Sequence, residues 1–139
     1  MYNKILVPFD QSASSSRALH HAAELAKTIS AEKLTILMVN HHLPVEEFSV
    51  DVDIDKLLDE ENAEALNPAI DFLKESGVNF EVHIKDGMPA QVILEYANNH
   101  HYPLIVMGRS GKGVLKHAIL GSVSNRVLHE TNCPVLIVR

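Results

Sequence analysis

Three observations predict an open α/β sheet of parallel strands with helices on both faces. Short apolar runs alternate with amphipathic stretches from one end of the chain to the other. Most of those runs are apolar at every position rather than every second one, which is the pattern of strands covered on both sides. A chain of 139 residues is long enough for one domain with a substantial hydrophobic core. Parallel neighbours require crossovers, and these are right-handed, so alternating strands and helices build such a sheet. No repeat, low-complexity stretch or linker divides the sequence, and residues 1–139 are read as one domain.

The first strand is "KILVPF", Lys4 to Phe9. "DQSASSSRALHHAAELAKTISA" follows with helical spacing. Ala18, Ala22, Leu25, Ala26 and Ile29 recur at three- and four-residue steps, and the serines supply N-terminal capping groups. "LTILMV", Leu34 to Val39, is the second buried-type strand. "NHHLPVEEFSVDVD" holds no sustained period and is expected to be a long surface loop.

Asp55 to Ser76 reads as an acidic amphipathic helix, with Leu58, Ala65, Ala69, Phe72 and Leu73 inward. Pro68 interrupts it. An interior proline costs about 3 kcal/mol or more, so a kink or break is expected there. Gly77 ends that helix. "VNFEVHI", Val78 to Ile84, alternates as a half-covered strand does. "MPAQVILEYANNH" is a helix with Pro89 at an early position. "LIVM", Leu104 to Met107, is a strand, Val123 to Glu130 a helix, and "PVLIV" the last strand.

Charge and composition narrow the function. The formal charge of −6 argues against a general nucleic-acid binder, which presents a broad basic face. One cysteine, Cys133, cannot form an internal disulfide, which suits a reducing compartment. "MYNKILVPFD" lacks the pattern of a secretory signal, and no apolar run approaches the roughly 20 residues of a membrane span. A cytoplasmic protein that does not engage membranes is expected.

The chemistry is concentrated in "IVMGRSGKGVLKHAILGSVSNRV", Ile105 to Val127. A Walker loop fails, because Val114 and Leu115 follow Gly113 where Lys and Ser/Thr are required. A dinucleotide fingerprint fails, because Lys116 stands where the third glycine belongs. What remains is Gly108, two residues, Gly111, nine residues, then Gly121-Ser122. Gly108 and Gly111 can expose backbone N–H groups in a bend at a strand's end. Gly121 and Ser122 stand at a helix start, where unpaired amides and about half a positive charge favour an anion. The Ser122 hydroxyl either bonds a phosphate oxygen or caps its own helix.

This segment resembles the Gly-x2-Gly-x9-Gly-Ser/Thr nucleotide-binding signature of the universal stress protein family. "KILVPFDQSASSSRAL", "GMPAQVILEYA" and "CPVLIVR" are similar to the family's opening strand and helix, third-helix entry and closing strand. The resemblance implies a Rossmann-like, adenine nucleotide alpha hydrolase-like fold with five strands in order 3-2-1-4-5. It implies ATP, with Mg2+ accompanying the nucleotide, and a stress-response sensor or adaptor. Pro8, Asp10 and Val39 would line the adenosine half, Val39 through its backbone. Met107 and Gly108 would lie beside ribose and adenine, and Gly111, Gly121, Ser122 and Val123 around the phosphates. Asp10 would hold ribose hydroxyls or assist Mg2+, or else cap the first helix.

The sequence departs from the family pattern at Gln11, where glycine is common, and at Arg109, where Ser or Thr is frequent. Arg109 is expected to be solvated. No base for γ-phosphate hydrolysis is identified, so at most slow ATP hydrolysis is expected. A family member acting through protein contacts alone is the alternative. The fully apolar "PVLIV" would leave a bare sheet edge, and the family resemblance implies that it pairs with its two-fold mate in a homodimer. Nine histidines, several in adjacent pairs, include no His-x3-His spacing and are read as surface or packing residues, with no metal site. Cys133 is read as a small buried residue.

Overall fold

A computed structural model of the chain describes residues 1–40, 60–110 and 120–139. Its elements in chain order are β1 (Lys4–Pro8), α1 (Ala13–Thr28), β2 (Lys33–Asn40), α2 (Glu60–Ser76), β3 (Phe80–Asp86), α3 (Pro89–Asn99), β4 (Ile105–Gly108), α4 (Ser122–Glu130) and β5 (Val135–Val138). The five strands form one sheet in the order β3-β2-β1-β4-β5, and every pairing is parallel. The expected surface loop beyond Asn40, the helix start at Asp55 and Leu58 lie outside the described residues.

The continuous apolar runs become the centre of the sheet because both of their faces are covered. Ile5, Val7, Leu34 and Ile36 face α1 and α2, while Leu6, Leu37 and Ile105 face α3 and α4. All seven are fully buried, and each contributes about 1.5–3 kcal/mol of hydrophobic stabilisation. Buried Thr35 is satisfied by the Tyr102 hydroxyl at 2.6 Å. The edge strands β3 and β5 are only part-covered, and Leu136 of β5 is 41% exposed.

Helix α1 starts at Ser12, whose hydroxyl accepts the Ser15 amide at 3.1 Å. Ala18, Ala22 and Ala26 are buried as the spacing predicts, but Ile29 is the C-cap residue and is 39% exposed. Leu19 and Ala23 are buried as well, so α1 sinks a broader face than the expected stripe. Helix α2 runs unbroken through Pro68. The ring lies on the exposed side of the helix, so the carbonyl it leaves without an amide partner faces water. Gly77 ends α2 in the left-handed region at φ 77°.

Candidate functional site

In such a sheet a gap opens where neighbouring crossovers leave for opposite faces, beyond the strands' carboxyl ends. Here that point lies between β1 and β4. Strand β1 matches β2 over five positions, Lys4↔Lys33 to Pro8↔Leu37, but meets β4 at one, Leu6↔Ile105. Pro8 supplies the reason. The Leu6 amide donates to the Leu104 carbonyl at 3.0 Å, and backbone groups two residues on face the same way. The next amide toward β4 would therefore be that of Pro8, which has none.

Val39 belongs to the same gap. The Phe9 amide donates to the Leu37 carbonyl at 2.9 Å, which marks the odd-numbered residues of β2 as those facing β1. Strand β1 stops at Pro8 opposite Leu37, whereas β2 continues to Asn40. The Val39 amide and carbonyl thus face the space past the end of β1, while its side chain packs toward α3 and α4.

Asp10 is half-buried at the entrance to α1. Its Oδ1 accepts the Ser12 amide at 3.0 Å, and its own amide donates to Ser15 Oγ at 3.3 Å. The N-cap of α1 is Ser12, so Asp10 shapes the turn before the helix rather than capping it. Gln11, between them, adopts φ 67°. That is the left-handed region, which explains why glycine suits the position better.

The far wall is the end of β4. Among the described residues, four hydrogen bonds hold residues 108–110. Ser124 Oγ donates to the Gly108 carbonyl at 2.8 Å. The Arg109 amide donates to Val138 at 2.9 Å, and the Arg109 carbonyl accepts the Gly121 amide at 2.8 Å. Ser14 Oγ accepts the Ser110 amide at 3.2 Å. The Arg109–Gly121 bond brings together the two ends of the intervening chain. The wide glycine spacing is therefore that of a segment that leaves β4 and returns beside it at the start of α4.

Gly108 has a packing reason besides any ligand. A Cβ there would come within 2.7 Å of the Ser14 carbonyl carbon and oxygen, so only glycine lets α1 lie this close to β4. Its φ is not in the left-handed region, and it is the last residue of the strand rather than part of a bend. Met107 is 4% exposed with its side chain in the α3–α4 core. Its backbone is what it can offer a ligand. Gly111 lies outside the described residues.

At α4, Gly121 is the N-cap, buried, with no side-chain capping hydrogen bond. Ser122 is the exposed first helical residue and does not cap the helix, and Val123 is half-buried against the α3–α4 core. The first intrahelical bond runs from the Asn125 amide to the Gly121 carbonyl at 2.9 Å. The amides of Ser122, Val123 and Ser124 therefore have no acceptor within the helix and carry its positive end. Helices antiparallel to the strands place the starts of α1 and α4 on the same rim of the sheet.

Three contributors escaped the sequence reading: Ser14 and Ser15 in α1 and Ser124 in α4, all buried and all hydrogen-bonded. The available signal was a pair of serines on the buried side of an otherwise alanine-rich helix. Arg109 is exposed, as expected.

Elsewhere, the His20 ring stacks on Phe72 at 3.9 Å, and His83 and His100 flank Tyr96 at 5.5 and 4.4 Å. Among the described residues no three His, Cys, Asp or Glu side chains converge as metal ligands. Among them, too, no helix is long and apolar enough to cross a membrane. His41, His42 and His117 lie outside the described residues. Cys133 is half-buried rather than buried, beside the Thr131 hydroxyl at 3.3 Å. It lines an open hollow of about 680 Å³ with Tyr2, Tyr102 and Pro103. That hollow lies at the opposite end of the sheet from Gly108 and Gly121, beside the C-terminal ends of α3 and α4, and shares no residue with the gap between β1 and β4.

Comparison with known proteins places this architecture. The profile of the universal stress protein family matches residues 1–139. Universal stress protein MJ0531 of Methanocaldococcus jannaschii is 39% identical over all of this chain and 83% of its own length. The solved structure of UspA from Lactobacillus plantarum is 30% identical with a TM-score of 0.81, covering 99% of this chain and 98% of that one. A universal stress protein solved in complex with cAMP is 27% identical with a TM-score of 0.75, covering 99% and 97%. By sequence match and by fold, the chain belongs to the universal stress protein family.

Proposed function

We propose that this chain is an ATP-binding universal stress protein, acting as a cytoplasmic, homodimeric, nucleotide-dependent sensor or adaptor. The observation that carries the reading is a convergence at one rim. The uncapped amides of α4 stand beside the end of β4, across the gap from Asp10 and the outward-facing backbone of Val39. An anion suits the first wall and a nucleoside the second. A relative of this fold solved with cAMP supports the class of ligand.

In this assignment the Val39 backbone recognises adenine, and Pro8, Met107 and Gly108 border the base and ribose. Asp10 holds ribose hydroxyls or the Mg2+ that accompanies the phosphates. Gly111, Gly121, Ser122 and Val123 surround the phosphates. The donor set fits such a ligand: neutral amides with a helix's positive end for the anion, and one carboxylate for hydroxyls or a hard cation. The activity is binding, read out through protein contacts. Half-exposed Val135 and Ile137 with exposed Leu136 make β5 an edge suited to pairing with a second copy.

The test is to unfold the purified protein and assay the released extract for adenine nucleotide, then to melt the stripped protein with and without Mg-ATP. A ligand at 100 times its dissociation constant adds about 2.7 kcal/mol of stability. Absence of both released nucleotide and any thermal shift at millimolar Mg-ATP would instead favour a member working by protein contacts alone.

A further inference from the structure

We infer that Ser14 is a positioning residue for the anion end of this site, an inference that rests on the nucleotide reading above. Ser14 lies in the first turn of α1 and is 4% exposed. Its hydroxyl oxygen accepts the amide of Ser110, a residue 96 positions away and next to Gly111. The same residue's main chain presses on Gly108, where no Cβ fits. Ser14 therefore meets the chain at two places, the last residue of β4 and the second residue after it. It thereby sets the direction in which the backbone leaves the strand.

The neighbouring contacts show why this direction has consequences. The Gly108 carbonyl is fixed from the opposite side by Ser124, and Arg109 is fixed by Val138 and Gly121. Ser110 directly precedes Gly111 in the sequence, and Ser14 is the side chain that holds its amide. A buried hydroxyl spent on one backbone amide contributes little apolar packing, and alanine at this position favours the helix. What alanine removes is the acceptor. The Ser110 amide is then free to turn, and the adjoining Arg109 carbonyl, which holds the Gly121 amide at the start of α4, loses its alignment.

Ser14 lies on the phosphate side of the gap, whereas Val39 lies on the base side. Ser14→Ala should therefore separate two ligands. Affinity for Mg-ATP should fall about five- to tenfold, the fold-change of one lost hydrogen bond. Affinity for adenosine should stay within about twofold. Hydrogen exchange at the Ser110 amide should accelerate in the unliganded variant. Ser14→Cys, which keeps a weak acceptor in the same place, should fall between wild type and alanine for Mg-ATP.

Equal losses for Mg-ATP and adenosine would show a merely structural role and overturn the inference. Unchanged Mg-ATP affinity in Ser14→Ala, with wild type binding normally, would overturn it as well and leave the nucleotide reading intact. A wild-type protein binding neither ligand would refute that reading, and this inference with it.

Discussion

Gly108→Ala tests whether the glycine segment is shaped by packing as well as by a ligand. The added methyl would lie within 2.7 Å of the Ser14 carbonyl carbon and oxygen. These are main-chain atoms of a capped helix whose buried face is committed to the sheet, so the obstacle cannot swing away. Over-packing costs about 1–3 kcal/mol, and a main-chain obstacle puts this case near 3 kcal/mol. For a domain of this size each kcal/mol moves the melting temperature by about 4 °C, so a drop of roughly 12 °C is expected.

The control is Gly77→Ala, where a Cβ meets nothing within 4 Å but φ is 77°. Left-handed strain there should cost about 1 kcal/mol. Both variants are measured without nucleotide by thermal and urea unfolding, with the urea slope checked for constancy. If glycine at 108 served only to admit a ligand, the unliganded protein would tolerate alanine. A Gly108→Ala melt within about 2 °C of wild type, or no worse than that of Gly77→Ala, would refute the packing argument.

Gln11→Gly relieves about 1–2 kcal/mol of left-handed strain at φ 67° against about 0.5–1 kcal/mol of added chain entropy, so the melt should hold or rise slightly. Pro68→Ala restores an amide in the middle of α2 on its exposed side and should stabilise the fold by about 1–3 kcal/mol by urea unfolding. Burial, together with the charges of His83, Lys85, Lys4 and Lys33, holds the His100 pKa below its ordinary 6.5. The unfolded chain then binds the proton more readily, so the fold loses stability as pH falls below 6.5 and keeps it above. His100→Gln should flatten that part of the stability-against-pH curve, and an unchanged slope would count against the cluster.

What was legible in the sequence follows from how local each signal is. β1 and β2 announce themselves because strands covered on both faces hold few polar positions, Thr35 alone interrupting the run in β2. Ile29 misled because periodicity does not say where a helix stops, and the residue is its C-cap. Pro68 does not break α2, because the cost of the lost bond depends on which side of the helix it faces. Gly108 was noticed for its spacing, yet its packing reason comes from Ser14, far away in the chain. Ser14 does stand in step with Ala18, Ala22 and Ala26, but a stripe says only that a position is buried, and nothing local in Ser14 or Ser124 names the distant backbone group that each bonds. Pro8 was placed at the site by resemblance, and the β1–β4 ladder supplies its physical role, the missing amide where the strands part.

Backbone amide shifts on titration with Mg-ATP test the central claim most directly. The account predicts the largest changes at Val39, Gly108, Ser122 and Val123, saturating together. Changes confined to the opposite end of the sheet, around Tyr102 and Cys133, or no change at millimolar Mg-ATP, would contradict it.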